Sequence, residues 1–224
     1  MIEFDGVGYS YGGSALFRGI ALSLPSGSFH FLTGPSGAGK TTLLKLVYAD
    51  LLPTQGRLTV FGQEVRGLGR DGVARLRRRI GVVHQDCQFL DHLPLAANVA
   101  LPLTVAGRAP EPADLSDLLA WVGLGSLADA LPPSLSGGER QRAAVARAVI
   151  QSPDIVLADE PTGNVDWDMS LRLLALLVEL NRMGKTVLVA THDMNLIRAA
   201  GKSGVAVRVL RIRDGQVQLA GADL

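Results

Sequence analysis

The sequence holds 224 residues, with 22 lysines and arginines against 21 aspartates and glutamates, for a formal net charge of +1. That length fits one domain, or one with a sizeable insertion, and 47% hydrophobic with 19% charged residues excludes a disordered chain. Balanced charge supplies no broad basic field, so no nucleic acid is expected as a partner, and a single cysteine excludes a disulfide-stapled fold.

Taken in chain order, residues 2–4 read as a strand, and residues 7–11 continue to a turn at Gly12-Gly13-Ser14. Residues 29–33 form a short apolar run ending in Gly34, and a helical pattern follows over residues 40–50. Residues 57–61 and 80–84 read as further strands. From residue 87 to residue 150 proline, alanine and leucine dominate, with helical patterns at 114–123 and 138–151. Residues 155–158 and 186–191 return to apolar strands, separated by a helical segment over 168–183. Residues 205–213 and 216–219 flank Asp214-Gly215 and predict a hairpin. Apolar strands alternating with helices predict an α/β fold with a mostly parallel, buried sheet. The expected organisation is one domain over 1–224, with a core of 1–86 and 151–224 and a helical insertion at 87–150. Residues 1–17 contain no lysine or arginine, so no secretory signal is expected. The uncharged, apolar stretch of residues 92–107 is broken by Pro94, Asn98 and Pro102 and is short for a membrane span. Work at a membrane would need an integral partner.

Gly34-Pro35-Ser36-Gly37-Ala38-Gly39-Lys40-Thr41, followed by Thr42, fits G-x-x-x-x-G-K-[ST] at every specified position. It lies between a predicted strand and a predicted helix, where glycines let successive N–H groups face phosphate oxygens. The helix start adds its positive dipole end, Lys40 a charge for the outer phosphates, and Thr41 a hydroxyl for Mg²⁺. Residues 155–160, Ile-Val-Leu-Ala-Asp-Glu, form an apolar strand that stops in two carboxylates. Ligands gather at the carboxyl ends of parallel strands. Asp159 is therefore expected to hold Mg²⁺, and Glu160 to orient and polarise an attacking water. Together the two segments predict binding of Mg-ATP or Mg-GTP.

Leu135-Ser136-Gly137-Gly138-Glu139-Arg140-Gln141 opens an alanine-rich helix, with Ser136 and Glu139 spaced as a capping box. Two glycines directly after a cap are costly for a helix, unless a ligand must approach the backbone. Here the chain resembles the ABC ATPases, whose signature reads LSGGQ or LSGGE, over nearly its whole length and with every motif in family order. The resemblance implies a P-loop NTPase core with an antiparallel β subdomain and an inserted α-helical subdomain. It implies ATP as the nucleotide and Tyr11 as the aromatic that stacks on adenine. It assigns Gln85 to contact with the metal or water, and His192 to the γ-phosphate. Gly163-Asn164-Val165-Asp166 matches the loop that crosses the dimer interface, with Asp166 at that interface. ATP binding would form a homodimer in which Ser136, Gly137 and Gly138 of one copy serve the nucleotide held by the other. Glu160, His192 and Gln85 are then the catalytic set, and Thr41, Gln85 and Asp159 the metal set.

Residues 31–34, 42–46, 98–103 and 191–197 look most like the cell-division branch of that family, the FtsE ATPases, which partner the membrane protein FtsX. This implies a peripheral position at the cytoplasmic face of the inner membrane, and ATP-driven movement of an FtsX-like integral partner that regulates cell division and wall hydrolysis. Residues 158–164 are shared with lipoprotein-release and macrolide-export ATPases, so an exporter subunit stays open as the alternative, as do a nucleotide-gated scaffold and a small-molecule kinase. The chain stops soon after the tail hairpin, so the regulatory domain of many sugar importers is not expected. Phe89, Leu90 and Leu93 are expected either in a groove for a helix of the partner or in subdomain core. Arg66, Arg70, Arg75, Arg77, Arg78 and Arg79 form a basic cluster, expected as a solvated face, with lipid headgroups or an acidic partner as alternatives. Cys87 has no base motif beside it and is expected to be inert. His84 stands where relatives usually carry an aromatic, expected as a packing variation.

Overall fold

Three five-residue runs that are buried from end to end build the centre of the fold: β3 (Phe29–Thr33), β7 (Ile155–Asp159) and β8 (Thr186–Ala190). Strands covered on both faces lose the usual alternation and read as continuous apolar sequence. The computed structural model describes residues 1–163 and 165–220. In chain order the other strands are β1 (Ile2–Tyr11), β2 (Ser14–Leu24), β4 (Gln55–Val60), β5 (Gln63–Glu64), β6 (Ile80–Val83), β9 (Val207–Arg213) and β10 (Gln216–Leu219). The helices are α1 (Lys40–Val47), α2 (Arg70–Arg78), α3 (Leu95–Val105), α4 (Pro112–Trp121), α5 (Gly137–Val149), α6 (Trp167–Arg182) and α7 (Met194–Gly201).

One sheet runs β10-β9-β3-β8-β7-β6, parallel throughout except for the β9–β10 hairpin. A second, antiparallel sheet runs β2-β1-β4-β5. The α/β fold with a mostly parallel sheet and an antiparallel partner is thus the one expected. Residues 2–4 and 7–11 are one strand rather than two, with register shifts against β2 between Phe4 and Val7 and again beyond. Leu32, Leu43, Leu157 and Leu188 share a core with the antiparallel sheet, while Phe29, Phe31, Val156 and Val187 face a second core with α6. A third cluster joins Leu95 and Val99 of α3, Leu119 of α4 and Ala143 and Ala146 of α5.

Three contacts fix the helices that reach the site. Gly81 of β6 lies under α5, where an added Cβ would stand 2.2 Å from the Ala148 carbonyl oxygen. Only glycine allows that approach. Asn98, fully buried on α3, accepts from Leu90 N–H at 2.7 Å and donates to the Leu90 and Leu93 carbonyls at 3.0 and 2.9 Å, which pins the loop after β6. Arg79 donates to Asp154 at 2.7 Å and stacks 3.7 Å over the Phe61 ring.

All six arginines of the basic cluster are exposed, and three of them also reach back to the fold. Arg66 donates to the Pro53 carbonyl, and Arg77 to the carbonyls of Tyr48 and Ala49 at 3.1 and 3.0 Å. Arg66, Arg77 and Arg79 thus combine exposure with hydrogen bonds to the fold, and Arg70, Arg75 and Arg78 are exposed as well. Among the described residues no helix is long and apolar enough to cross a membrane.

Candidate functional site

The phosphate loop leaves β3 at Thr33 and enters α1 at Lys40. Gly37 and Gly39 hold φ of +78° and +101°, left-handed values that turn the chain back on itself before the helix. An added Cβ on Gly39 would also stand 2.7 Å from the buried Phe17 ring. Ala38 N–H donates to the Pro35 carbonyl at 3.1 Å, closing the turn. Gly39 caps α1 without a side chain, leaving the first amides of the helix to an external acceptor.

Lys40 folds over this loop. Its Nζ donates to the Gly34 carbonyl at 3.0 Å and lies 3.3 Å from Glu160 Oε1. Both side chains are about nine-tenths buried. Glu160 follows the last residue of β7 with φ of +45°, and its N–H is held by the Ala190 carbonyl at 2.9 Å. A left-handed glutamate costs about 1 kcal/mol or more, strain of the kind kept at functional positions. From the neighbouring strand end, His192 Nδ1 lies 3.0 Å from both Glu160 oxygens. A carboxylate only accepts, so Nδ1 carries the proton in the neutral ring and Nε2 is left as an acceptor. Lys40, at the start of α1, and His192, just beyond β8, therefore converge on the Glu160 carboxylate at the end of β7.

Asp159 tests the fit of a divalent cation. Its Oδ1 is buried with no hydrogen-bond partner among the described residues. Burial raises its carboxyl pKa; hydrogen bonding from Thr41 pulls the other way and the charge of Glu160 raises it again. A buried carboxylate oxygen beside an exposed threonine hydroxyl is a hard-oxygen donor set that suits Mg²⁺. Among the described residues no three His, Cys, Asp or Glu side chains cluster closely enough to hold a metal by themselves. An ion here would draw its remaining ligands from water and phosphate.

A cleft of about 840 Å³ joins these groups. Pro35, Ser36, Gly37, Gly39, Lys40, Thr41 and Thr42 form its floor, and Gln85, Glu160 and His192 one wall. Tyr11 and Leu16 form the other end. Tyr11 is half-exposed, its hydroxyl 3.3 Å from Thr42 Oγ1 and its ring edge-on to Tyr9 at 4.8 Å, so one face is free to stack. Leu16 carried no sequence signal, because it lies on β2, which the sequence pattern did not reveal. Gly34 and Ala38 stand behind the floor, where a Cβ on Gly34 would touch both Ala38 and Ile212 at 3.2 Å.

The structure does not bring Ser136, Gly137, Gly138 or Asp166 into this cleft. Ser136 caps α5, its Oγ accepting from Glu139 N–H at 3.3 Å while Glu139 Oε2 accepts from Ser136 N–H at 2.8 Å. Ser136 and Gly137 are exposed, and Gly137 borders a separate hollow of about 510 Å³ beside Gln85 and Phe89. Gly138 has a packing reason of its own, since a Cβ there would stand 2.8 Å from Met169 Cε. Asp166 caps α6, accepting from Met169 N–H at 2.8 Å, and Asn164 lies outside the described residues.

Around the second hollow, Phe89 is half-buried under the guanidinium of Arg147 at 4.5 Å, and Leu90 is exposed. Burial lifts the Cys87 thiol to about 11, and its Sγ donates to Gln141 Oε1 at 3.1 Å, so it is a neutral thiol at pH 7. His84 sets its ring edge against Tyr48 at 6.4 Å, a contact an aromatic residue would also make.

The sequence matches the ABC transporter family model over residues 17–163. It is 44% identical over 206 residues to the cell division ATP-binding protein FtsE of Haemophilus influenzae, covering 90% of this chain and 94% of that protein. It is 42% identical over 220 residues to FtsE of Escherichia coli K12, covering 97% of each. The fold is similar to a dimeric, post-hydrolysis structure of the ATP-binding cassette MJ0796 bound to ADP and Pi, with a TM-score of 0.84, 31% identity and 97% of both chains covered.

Proposed function

Because this chain belongs to the ABC transporter family, we propose that it is the ATP-hydrolysing subunit of a membrane complex of the cell-division type. In this reading it moves an FtsX-like integral partner from the cytoplasmic face of the inner membrane, and so regulates division and wall hydrolysis. The observation that carries the chemistry is the convergence of Lys40 and His192 on Glu160 beside the phosphate loop. Near-full-length similarity to proteins named for cell division favours that role over the exporter alternative.

ATP enters with its phosphates against the loop amides of residues 34–42 and its adenine against Tyr11. The γ-phosphate takes Lys40 away from Glu160, which frees the carboxylate. Glu160 then accepts a proton from water as the water oxygen bonds to the γ-phosphorus and the bond to the bridging oxygen breaks, giving ADP and phosphate. His192 orients Glu160 through Nδ1 and faces the leaving phosphate with the other edge of the ring. Mg²⁺, when bound by Thr41, Asp159 and Gln85, neutralises phosphate charge. Ser136, Gly137 and Gly138 of a second copy close the site, so two ATP molecules bridge a dimer and hydrolysis releases it.

The test is replacement of the gene by Glu160→Gln in the organism that carries this chain. Hydrolysis by the purified variant should fall at least 100-fold, its affinity for ATP should persist, and division should fail. Normal division with hydrolysis abolished would leave only a scaffold role. Pull-down from detergent-solubilised membranes should recover a multi-span partner with an external domain, and recovery of a lipoprotein or drug exporter instead would overturn the division role.

A further inference from the structure

We propose that Glu139 is a positioning residue that restrains the serine of the signature, holding the hydroxyl proton which the terminal phosphate of the opposing copy's ATP must win. The inference rests on the composite-site reading above and deepens it. Ser136 has one hydroxyl proton and two lone pairs. In the structure one lone pair accepts from Glu139 N–H at 3.3 Å, and the proton is given to Glu139 Oε2 at 2.7 Å. The same oxygen also accepts from Ser136 N–H at 2.8 Å.

A capping box needs only the two backbone bonds. The third, hydroxyl to carboxylate, is additional, charge-assisted and the shortest of the set. It leaves Ser136 with no proton to offer a phosphate. These hydrogen bonds also hold the Glu139 carboxyl below its ordinary range, so at neutral pH the group is a full negative charge at the helix end that is to receive an anion.

Two penalties follow for an incoming phosphate, loss of a charge-assisted hydrogen bond and approach to a like charge. Neither applies to ADP bound within one copy, which has no γ-phosphate for the second. On the other face of the same site, Lys40 is likewise engaged by a carboxylate, that of Glu160. Each half of the divided site therefore carries an internal competitor for the γ-phosphate, and Glu139 is the one that acts on assembly alone. Glutamine at 139 keeps a carbonyl oxygen for Ser136 N–H, so the cap survives, and it removes the charge that binds the hydroxyl. Aspartate keeps the charge but is one methylene shorter and draws back from the hydroxyl.

The experiment titrates Mg-ATP into Glu160→Gln, Glu160→Gln/Glu139→Gln and Glu160→Gln/Glu139→Asp, and follows dimer formation by sedimentation velocity. ADP affinity and thermal midpoint are measured on the same proteins. The Mg-ATP concentration at half-dimerisation should fall about tenfold with Glu139→Gln and by less with Glu139→Asp, since an ionic hydrogen bond is worth about that factor or more. ADP affinity should not change. A purely structural role predicts the opposite, a lower thermal midpoint and a higher ATP requirement. An unchanged or raised half-point in both Glu139 variants overturns the restraint and leaves the composite site standing. Failure of Glu160→Gln itself to dimerise at any Mg-ATP concentration removes the composite site, and the restraint with it.

Discussion

His30 makes the fold that carries the phosphate loop sensitive to acid. It sits in the middle of β3, the strand that delivers the loop, 1% exposed, between Leu188 and Arg208 in the neighbouring strands. Its Nδ1 has no hydrogen-bond partner among the described residues. Burial first, and then the charge of Arg208, lower its pKa from 6.5 to about 4. The folded chain therefore binds this proton less readily than the unfolded chain. The stability contributed by the neutral ring is complete above pH 6.5 and is lost as the pH falls toward 4. A gap of about 2.5 in pKa, at about 1.36 kcal/mol for each pH unit, makes the loss about 3 kcal/mol at pH 4.

Urea unfolding midpoints of the wild type and of His30→Leu, taken from pH 7.5 down to pH 4, isolate this contribution, because the carboxylates titrate alike in both proteins. Leucine also removes an unpaired buried nitrogen, so the variant should be at least as stable at pH 7. The two stability curves should separate by about 2–3 kcal/mol in favour of leucine by pH 4. Parallel curves would refute the reasoning and place the proton elsewhere.

Lys40→Ala should lower ATP affinity about 100-fold by equilibrium dialysis, because a buried charge-assisted contact to phosphate is removed; undiminished affinity would contradict the phosphate-loop assignment. Asp159→Asn should bind ATP without magnesium as the wild type does but need at least tenfold more Mg²⁺ for half-maximal hydrolysis, since its buried oxygen no longer carries charge. Gly81→Ala should lose about 3 kcal/mol or more in urea unfolding, as its Cβ meets the Ala148 carbonyl at 2.2 Å and neither β6 nor α5 can yield.

The parts of the fold legible in the sequence are those where burial is uniform or chemistry is contiguous. β3, β7 and β8 are apolar from end to end, and the phosphate loop is a single run, so both declare themselves without tertiary knowledge. β2 did not, because Arg18 and Gly19 interrupt its alternation and Gly19 takes φ of +63°. α2 presents five arginines in or beside nine residues and buries only Gly72 and Leu76, so it has almost no apolar stripe to read. α3 is masked by Pro102, although its buried Asn98 is the residue that organises the preceding loop. α7 is a single short helix of eight residues.

At the site, the sequence supplied the residue types and the structure supplied their pairing. Glu160 and His192 stand 32 positions apart, and Lys40 and Glu160 are further separated still, so only the adjacent parallel ends of β7 and β8, with the start of α1 beside them, bring all three to one point. The arginine run shows the converse. Six like charges close together read as one face, and all six are exposed, but the sequence does not show that Arg66, Arg77 and Arg79 also bond the backbone carbonyls of Pro53, Tyr48 and Ala49 and the carboxylate of Asp154.

A crystal structure of Glu160→Gln grown with Mg-ATP bears most directly on the two-copy site. A γ-phosphate oxygen should lie within about 3 Å of Ser136 Oγ or of the Gly138 N–H of a second copy, with that hydroxyl turned away from Glu139. A terminal phosphate met only by Lys40, His192 and the loop of its own copy, with Ser136 still bonded to Glu139 in every assembly, would contradict the account.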